Sequence, residues 1–154
     1  MVIVGQPIVT KEELFAFEKA NRQKFDDFYN SKGWRCERVY GKANKDYDCA
    51  ILVDNRWYKV EEKYLRRDGD FLVELVQDTV SGDPGWYYYT KADYIFWGVE
   101  DKIYAVSMEK LRPLIDEHQG DFNEVISTKG WGRTKNIAIP WHTIQVNEIG
   151  KQIK

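Results

Sequence analysis

Cysteine and histidine are both scarce, two of each in 154 residues: Cys36 and Cys49, His118 and His142. With no CxxC pair, neither a structural zinc site nor a disulfide framework is expected, and a reducing, cytoplasmic (intracellular) setting fits best. No apolar run approaches the roughly 20 residues that cross a bilayer. The opening Met-Val-Ile-Val-Gly-Gln-Pro has neither the basic stretch nor the apolar length of a signal peptide. Repeats, low-complexity tracts and linker-like segments are absent too, so residues 1–154 read as a single domain. There is no excess of positive charge: 23 basic residues face 25 acidic ones, net −2. A protein that coats nucleic acid non-specifically is normally basic, so any DNA contact must rest on local patches. Gly130-Trp131-Gly132 matches neither the Walker spacing nor GxGxxG and is no phosphate loop.

Aromatic residues are plentiful, with six Trp, ten Tyr and seven Phe making 15% of the chain. That supply of apolar surface excludes wholesale disorder. Thr10 followed by Glu13 is a capping-box pattern and predicts a helix to about Ser31, with Leu14, Phe17, Phe25 and Phe28 as its apolar stripe and Gly33 just past its end. Strands are expected over 34–40, 47–53, 56–65 and 71–76, with a polar loop at 41–45 and a two-residue turn at Asp54-Asn55. A short helix over 86–92, a hairpin over 93–106 and a Ser107-capped helix to about His118 follow, with Pro113 an internal irregularity and Gly120 as the stop. A late strand at 136–139 ends at Pro140. The expected class is α/β or α+β, a mixed sheet with helices packed on it.

The hairpin carries the most informative spacing. If Asp54-Asn55 is the turn, Val53 pairs with Arg56, and the same register sets Asp48 opposite Glu61. Lys63 shares that face, because strand side chains alternate. Ala50, Leu52, Trp57 and Leu65 lie on it too and are expected to be covered, while Glu62 points the other way with Tyr58, Val60 and Tyr64. Two carboxylates directly opposed on a sheet repel. A hard cation such as Mg²⁺, bound by one or two carboxylates plus water and phosphate oxygens, would relieve them. The competing reading is a solvated cluster of ion pairs. A second acidic-x-Lys, Glu100-Asp101-Lys102, falls on a hairpin tip and is given no function.

Asp48 followed by Glu61-x-Lys63 on the next strand resembles the PD-(D/E)XK nuclease superfamily. The continuation through Tyr64-Leu65-Arg66-Arg67, Phe71-Leu72-Val73-Glu74, Ser81-Gly82 and Thr90-Lys91-Ala92-Asp93-Tyr94 is similar to its small phage-type members, best over 46–98, although Tyr47 stands where a proline often precedes the aspartate. The resemblance implies a restriction-endonuclease-like core of helix, three-strand meander, helix and strand, and a metal-dependent nuclease that hydrolyses DNA phosphodiesters. It implies Asp48 and Glu61 as ligands of Mg²⁺ (Mn²⁺ as substitute), with the Glu62 backbone carbonyl as an added oxygen and Lys63 assisting the attacking water or the phosphoryl charge. Glu18 on the first helix is a further candidate ligand, and Glu74 a supporting carboxylate. The alternative is a catalytically inactive nucleic-acid-binding or assembly protein of the same fold. If both strands of a duplex are cut, a homodimer is expected.

DNA contact is assigned to two basic groups. One is Lys129, Arg133 and Lys135 around Gly130-Trp131-Gly132, in a window (125–147) without Asp or Glu. The other is Arg66 and Arg67, with Arg56 and Lys59, on or just beyond the strand that carries Glu61.

Overall fold

The computed structural model describes residues 2–4, 10–41, 46–65, 69–129 and 132–154. The first helix, α1 (Lys11–Lys32), starts with the predicted capping box. The Thr10 hydroxyl accepts the Glu13 N–H at 3.1 Å and the Glu13 carboxylate accepts the Thr10 N–H at 3.4 Å. It closes on Gly33, whose φ of 70° is the left-handed conformation that a Cβ disfavours. Phe25 and Phe28 of the predicted stripe are buried and Tyr29 joins them. The side chain of Leu14 lies outside the described residues, as do positions 42–45 of the expected polar loop.

Three antiparallel strands follow: β2 (Arg35–Arg38), β3 (Cys49–Val53) and β4 (Arg56–Leu65). The β3–β4 turn is Asp54-Asn55, with φ of 50° and 66°, the doubly positive backbone that matches strand twist in a two-residue hairpin. Pairing runs in the predicted register from Val53↔Arg56 to Cys49↔Val60.

The expected single sheet is two sheets. β5 (Phe71–Val76) does not lie beside β4; it pairs antiparallel with β9 (Gly132–Ile139). Their sheet has the order β1–β8–β9–β5, where β1 is Val2–Val4 and β8 is Asn123–Lys129. The free side of β4 is taken in parallel by β6 (Tyr94–Val99). The larger sheet is ordered β10–β7–β6–β4–β3–β2, with β7 at Lys102–Ser107 and β10 at Gly150–Gln152. Burial explains the choice. Ile95 through Val99 of β6 are all buried, as a strand sandwiched on both faces requires, whereas β5 alternates buried Phe71, Val73 and Leu75 with half-buried neighbours. β8, the first half of β9 and the helix α4 (Trp141–Val146) stand where a loop and one short strand were expected. The helix α2 is only Trp86–Tyr89. α3 (Met108–His118) is capped by Ser107 and runs through Pro113, held by fully buried Leu111 and Ile115; Gly120 sits in the 3₁₀ turn that follows.

Two cores flank the six-stranded sheet. α1 covers one face, packing Phe25, Phe28 and Tyr29 on Cys49, Ile51, Val60 and Phe96. The other face, with Ile95, Trp97, Val99 and Val106, meets β5, β9, α2, α3 and α4. Gly98 leaves room for the Tyr64 ring of the neighbouring strand β4 and for Phe25 of α1: a Cβ built there would lie 2.4 Å from the Tyr64 ring and 3.3 Å from Phe25. Gly98→Ala should therefore displace Tyr64 and lower stability by about 1–3 kcal/mol. Urea denaturation of the variant, with its midpoint lowered, checks this.

Candidate active site

β4 has ten residues and β3 five, so the ladder between them ends long before β4 does. Pairing stops at Cys49↔Val60, and Asp48 is not set squarely across from Glu61 as the extended register predicts. Its N–H turns back to the Val60 carbonyl at 3.0 Å, and its carboxylate accepts the Glu62 N–H at 2.6 Å. The N–H and C=O of one strand residue leave the same edge. The Glu62 carbonyl thus faces the gap that β3 vacates, where the sequence reading had it as an added oxygen ligand.

The gap is a cleft of about 460 Å³. Asp48, Glu61, Glu62 and Lys63 line it from the larger sheet, Glu18, Asn21 and Arg22 from α1, and Glu74 and Asn136 from the smaller sheet, with Trp86 and Tyr89 closing one side. The trio read from the sequence is gathered at one place. Glu18 is exposed at the rim. Glu74 arrives by an unexpected route, from a strand of the other sheet on which it faces Asn136. The apolar neighbours on the trio's face are less covered than expected, with Trp57 43% exposed at the hairpin end.

Glu61 is 5% exposed. Its Oε1 lies 3.2 Å from Lys63 Nζ, and its Oε2 is 3.4 Å from the Thr90 hydroxyl, which also lies 3.2 Å from the Asp46 carbonyl. Burial pushes the Glu61 carboxyl up to about 7; Lys63 opposes the shift and the Asp48 charge adds to it. Lys63 is 30% exposed, and its ammonium sits 5.1 Å from the Trp86 ring centroid. Burial disfavours that charge, but Glu61, Asp48 and Glu74 outweigh it and hold the amine above its ordinary pKa. Among the described residues no three His, Cys, Asp or Glu side chains converge as a complete ligand set. The cleft offers two carboxylates on one sheet edge, a donor set that fits Mg²⁺ completed by water and substrate oxygens.

Glu62 belongs to the opposite face, as alternation predicts. Its side chain is 7% exposed and takes Arg38 Nη1 at 2.8 Å and the Tyr29 hydroxyl at 2.6 Å. Arg38 also reaches Asp26 at 2.6 Å, so a single guanidinium bridges two carboxylates under α1. Burial still leaves the Glu62 carboxyl raised, against the pull of Arg38.

The basic groups fare differently. Lys135 is paired with Glu124 at 3.0 Å, one residue outside the window read as free of acid. Arg133 is exposed. Arg66, Arg67, Gly130, Trp131 and the Lys129 side chain lie outside the described residues. Thr90, Trp86 and Asn21 are residues of the site that the sequence reading does not single out. Arg112 of α3 donates to the carbonyls of Tyr87 and Thr90 at 3.2 and 2.9 Å, fixing the segment that carries Thr90.

Two outcomes follow from these charges. Between the unfolded carboxyl value of 4.5 and the folded value near 7, the native state binds a proton at Glu61 that the unfolded chain lacks. This contribution to stability is therefore present at low pH and lost as pH rises towards 7. Urea midpoints measured without divalent cations should fall from pH 5 to pH 8, and Glu61→Gln should flatten that fall by an amount on the order of 2 kcal/mol. Arg38→Met, which strands Glu62, should cost about 3–5 kcal/mol, and Glu62→Gln in the same chain should restore part of it. A double-mutant cycle by chemical denaturation measures this.

In comparisons with known proteins, no family model matches the chain and no curated protein sequence matches it.

Proposed function

We propose that the protein is a Mg²⁺-dependent nuclease of the PD-(D/E)XK type, with Mn²⁺ as an alternative ion, that hydrolyses DNA phosphodiester bonds. One observation carries the reading: Asp48, Glu61 and Lys63 meet at the edge of β4 that β3 leaves open, with the Glu62 carbonyl facing the same gap. The order helix, antiparallel three-strand meander, short helix and parallel strand (α1, β2–β4, α2, β6) also resembles that family's core, with β5 diverted into a second sheet.

Asp48, Glu61 and the Glu62 carbonyl would hold the ion. When bound, a hard dication supplies Lewis acidity and a water of lowered pKa. The chain's own residues do the rest. The Asp48 carboxylate is fixed by the Glu62 N–H, so it meets the cleft in a set orientation. Thr90 and Lys63 hold the two oxygens of Glu61. Three carboxylates keep Lys63 protonated. That state suits stabilising charge on the phosphoryl oxygens and orienting water, rather than abstracting a proton. Arg66, Arg67, Lys129, Arg133 and Lys135 are assigned to phosphate contacts.

The test offers the protein linear duplex, circular single-stranded and four-way-junction DNA with Mg²⁺, Mn²⁺ or EDTA. Cleavage should require the ion. Asp48→Asn and Glu61→Gln should abolish it while the fold is kept, and Lys63→Ala should lower the rate by about 10²-fold or more with DNA binding retained. Full metal-dependent activity in Glu61→Gln would sink the mechanism. Equal DNA binding by wild type and all three variants, with no cleavage by any, would instead make the chain a binding protein.

A further inference from the structure

Asn21 is the anomaly of α1. It lies at mid-helix on the stripe that Phe17 and Phe25 share, is 5% exposed, and lines the cleft beside Asp48 and Glu61. Its side-chain amide nitrogen has no hydrogen-bond partner among the described residues. Each of these facts is unfavourable on its own. Asparagine is a poor residue for a helix interior, and a buried donor left unmade is a substantial loss relative to an apolar side chain of the same size. The fold gains nothing in exchange, since Leu at this position would continue the stripe. The return must come from something that enters the cleft.

The chemistry of the walls limits what that is. Glu18, Asp48, Glu61 and Glu74 make the cleft rich in acceptors, and Lys63 is already engaged by Glu61. An anionic oxygen entering here needs a donor that the carboxylates have not claimed: Arg22 offers one from an exposed position on α1, and the buried one is Asn21. The Asn21 amide fits, being neutral, uncommitted and carried on a helix rather than a loop. We propose that the Asn21 side-chain N–H donates to a non-bridging oxygen of the nucleic-acid phosphodiester held in the cleft. The assignment rests on the nuclease reading and gives α1 a part in gripping substrate. An amide has two ends, and the rival role is an oxygen ligand to the metal ion.

The experiment combines two readouts. The Asn21 side-chain NH₂ resonances of the intact protein are followed by NMR during titration with a thymidine dinucleotide. Asn21→Leu and Asn21→Asp are then compared with wild type in Mg²⁺-dependent cleavage and thermal melting. The donor role predicts that the NH₂ signal shifts with the dinucleotide. It predicts that both variants raise KM about 10- to 100-fold, with kcat changed far less because the contact exists before and during the chemical step. Asn21→Leu should melt no lower than wild type. Loss in Asn21→Leu but not in Asn21→Asp would assign the oxygen end and overturn the donor role. Cleavage with unchanged KM in both variants and an unmoved NH₂ signal would overturn it while leaving the nuclease reading intact. A shifted NH₂ signal with no cleavage by any protein would uphold the contact and discard the nuclease; neither shift nor cleavage discards both.

Discussion

The geometry of the cleft depends on the interruption of one β-ladder. β3 stops pairing at Cys49 while β4 continues to Leu65, so part of β4 has β6 on one side and the cleft on the other. A bare strand edge exposes unpaired backbone groups, which proteins ordinarily cover or pair. Here the residue that ends the ladder also caps the edge, because the Asp48 carboxylate takes the Glu62 N–H. The same hydrogen bond thus satisfies the backbone and fixes an acid at the mouth of the gap. A β3 extended by two more paired residues would keep the fold and abolish the cleft.

The alternation of β4 then divides two adjacent glutamates between different surroundings. Glu62 goes under α1, where Arg38 and the Tyr29 hydroxyl donate to its oxygens and Arg38 is shared with Asp26. Glu61 goes to the other face, buried nearly as deeply, with one ammonium and one hydroxyl for company and a second carboxylate nearby. Both acids are buried and both are raised by burial, but Glu62 is held between two donors while Glu61 faces the Asp48 charge at the cleft.

The hairpin was legible because its evidence is local. Asp54-Asn55 demands a doubly positive turn, that turn fixes the register, and the register brings Asp48, Glu61 and Lys63 to one place. The capping box of α1 and the Ser107 cap of α3 were local for the same reason. What escaped was settled at long range. Nothing in Phe71–Val76 says that its partner is Gly132–Ile139 rather than Arg56–Leu65; that follows from β6 being apolar on both faces and claiming the place beside β4. Thr90 was invisible as a site residue because a lone Thr has no spacing signature. The Glu124–Lys135 pair was hidden because the two are diagonal neighbours across β8 and β9, eleven positions apart in the chain.

The parallel pairing of β4 with β6 has a kinetic side. Lys63 meets Trp97 only after the intervening chain, with β5 and α2, has left the sheet and returned, and β1 finds β8 across more than a hundred residues. Contacts of such sequence separation form late, because loop closure must precede any return from them. The cleft draws on Phe17 at one extreme and Asn136 at the other. The full lining of the cleft is therefore assembled only once those distant contacts have closed. Asp48 and Glu61, brought near each other by their own hairpin, are the local part of that assembly, and the walls around them are the long-range part.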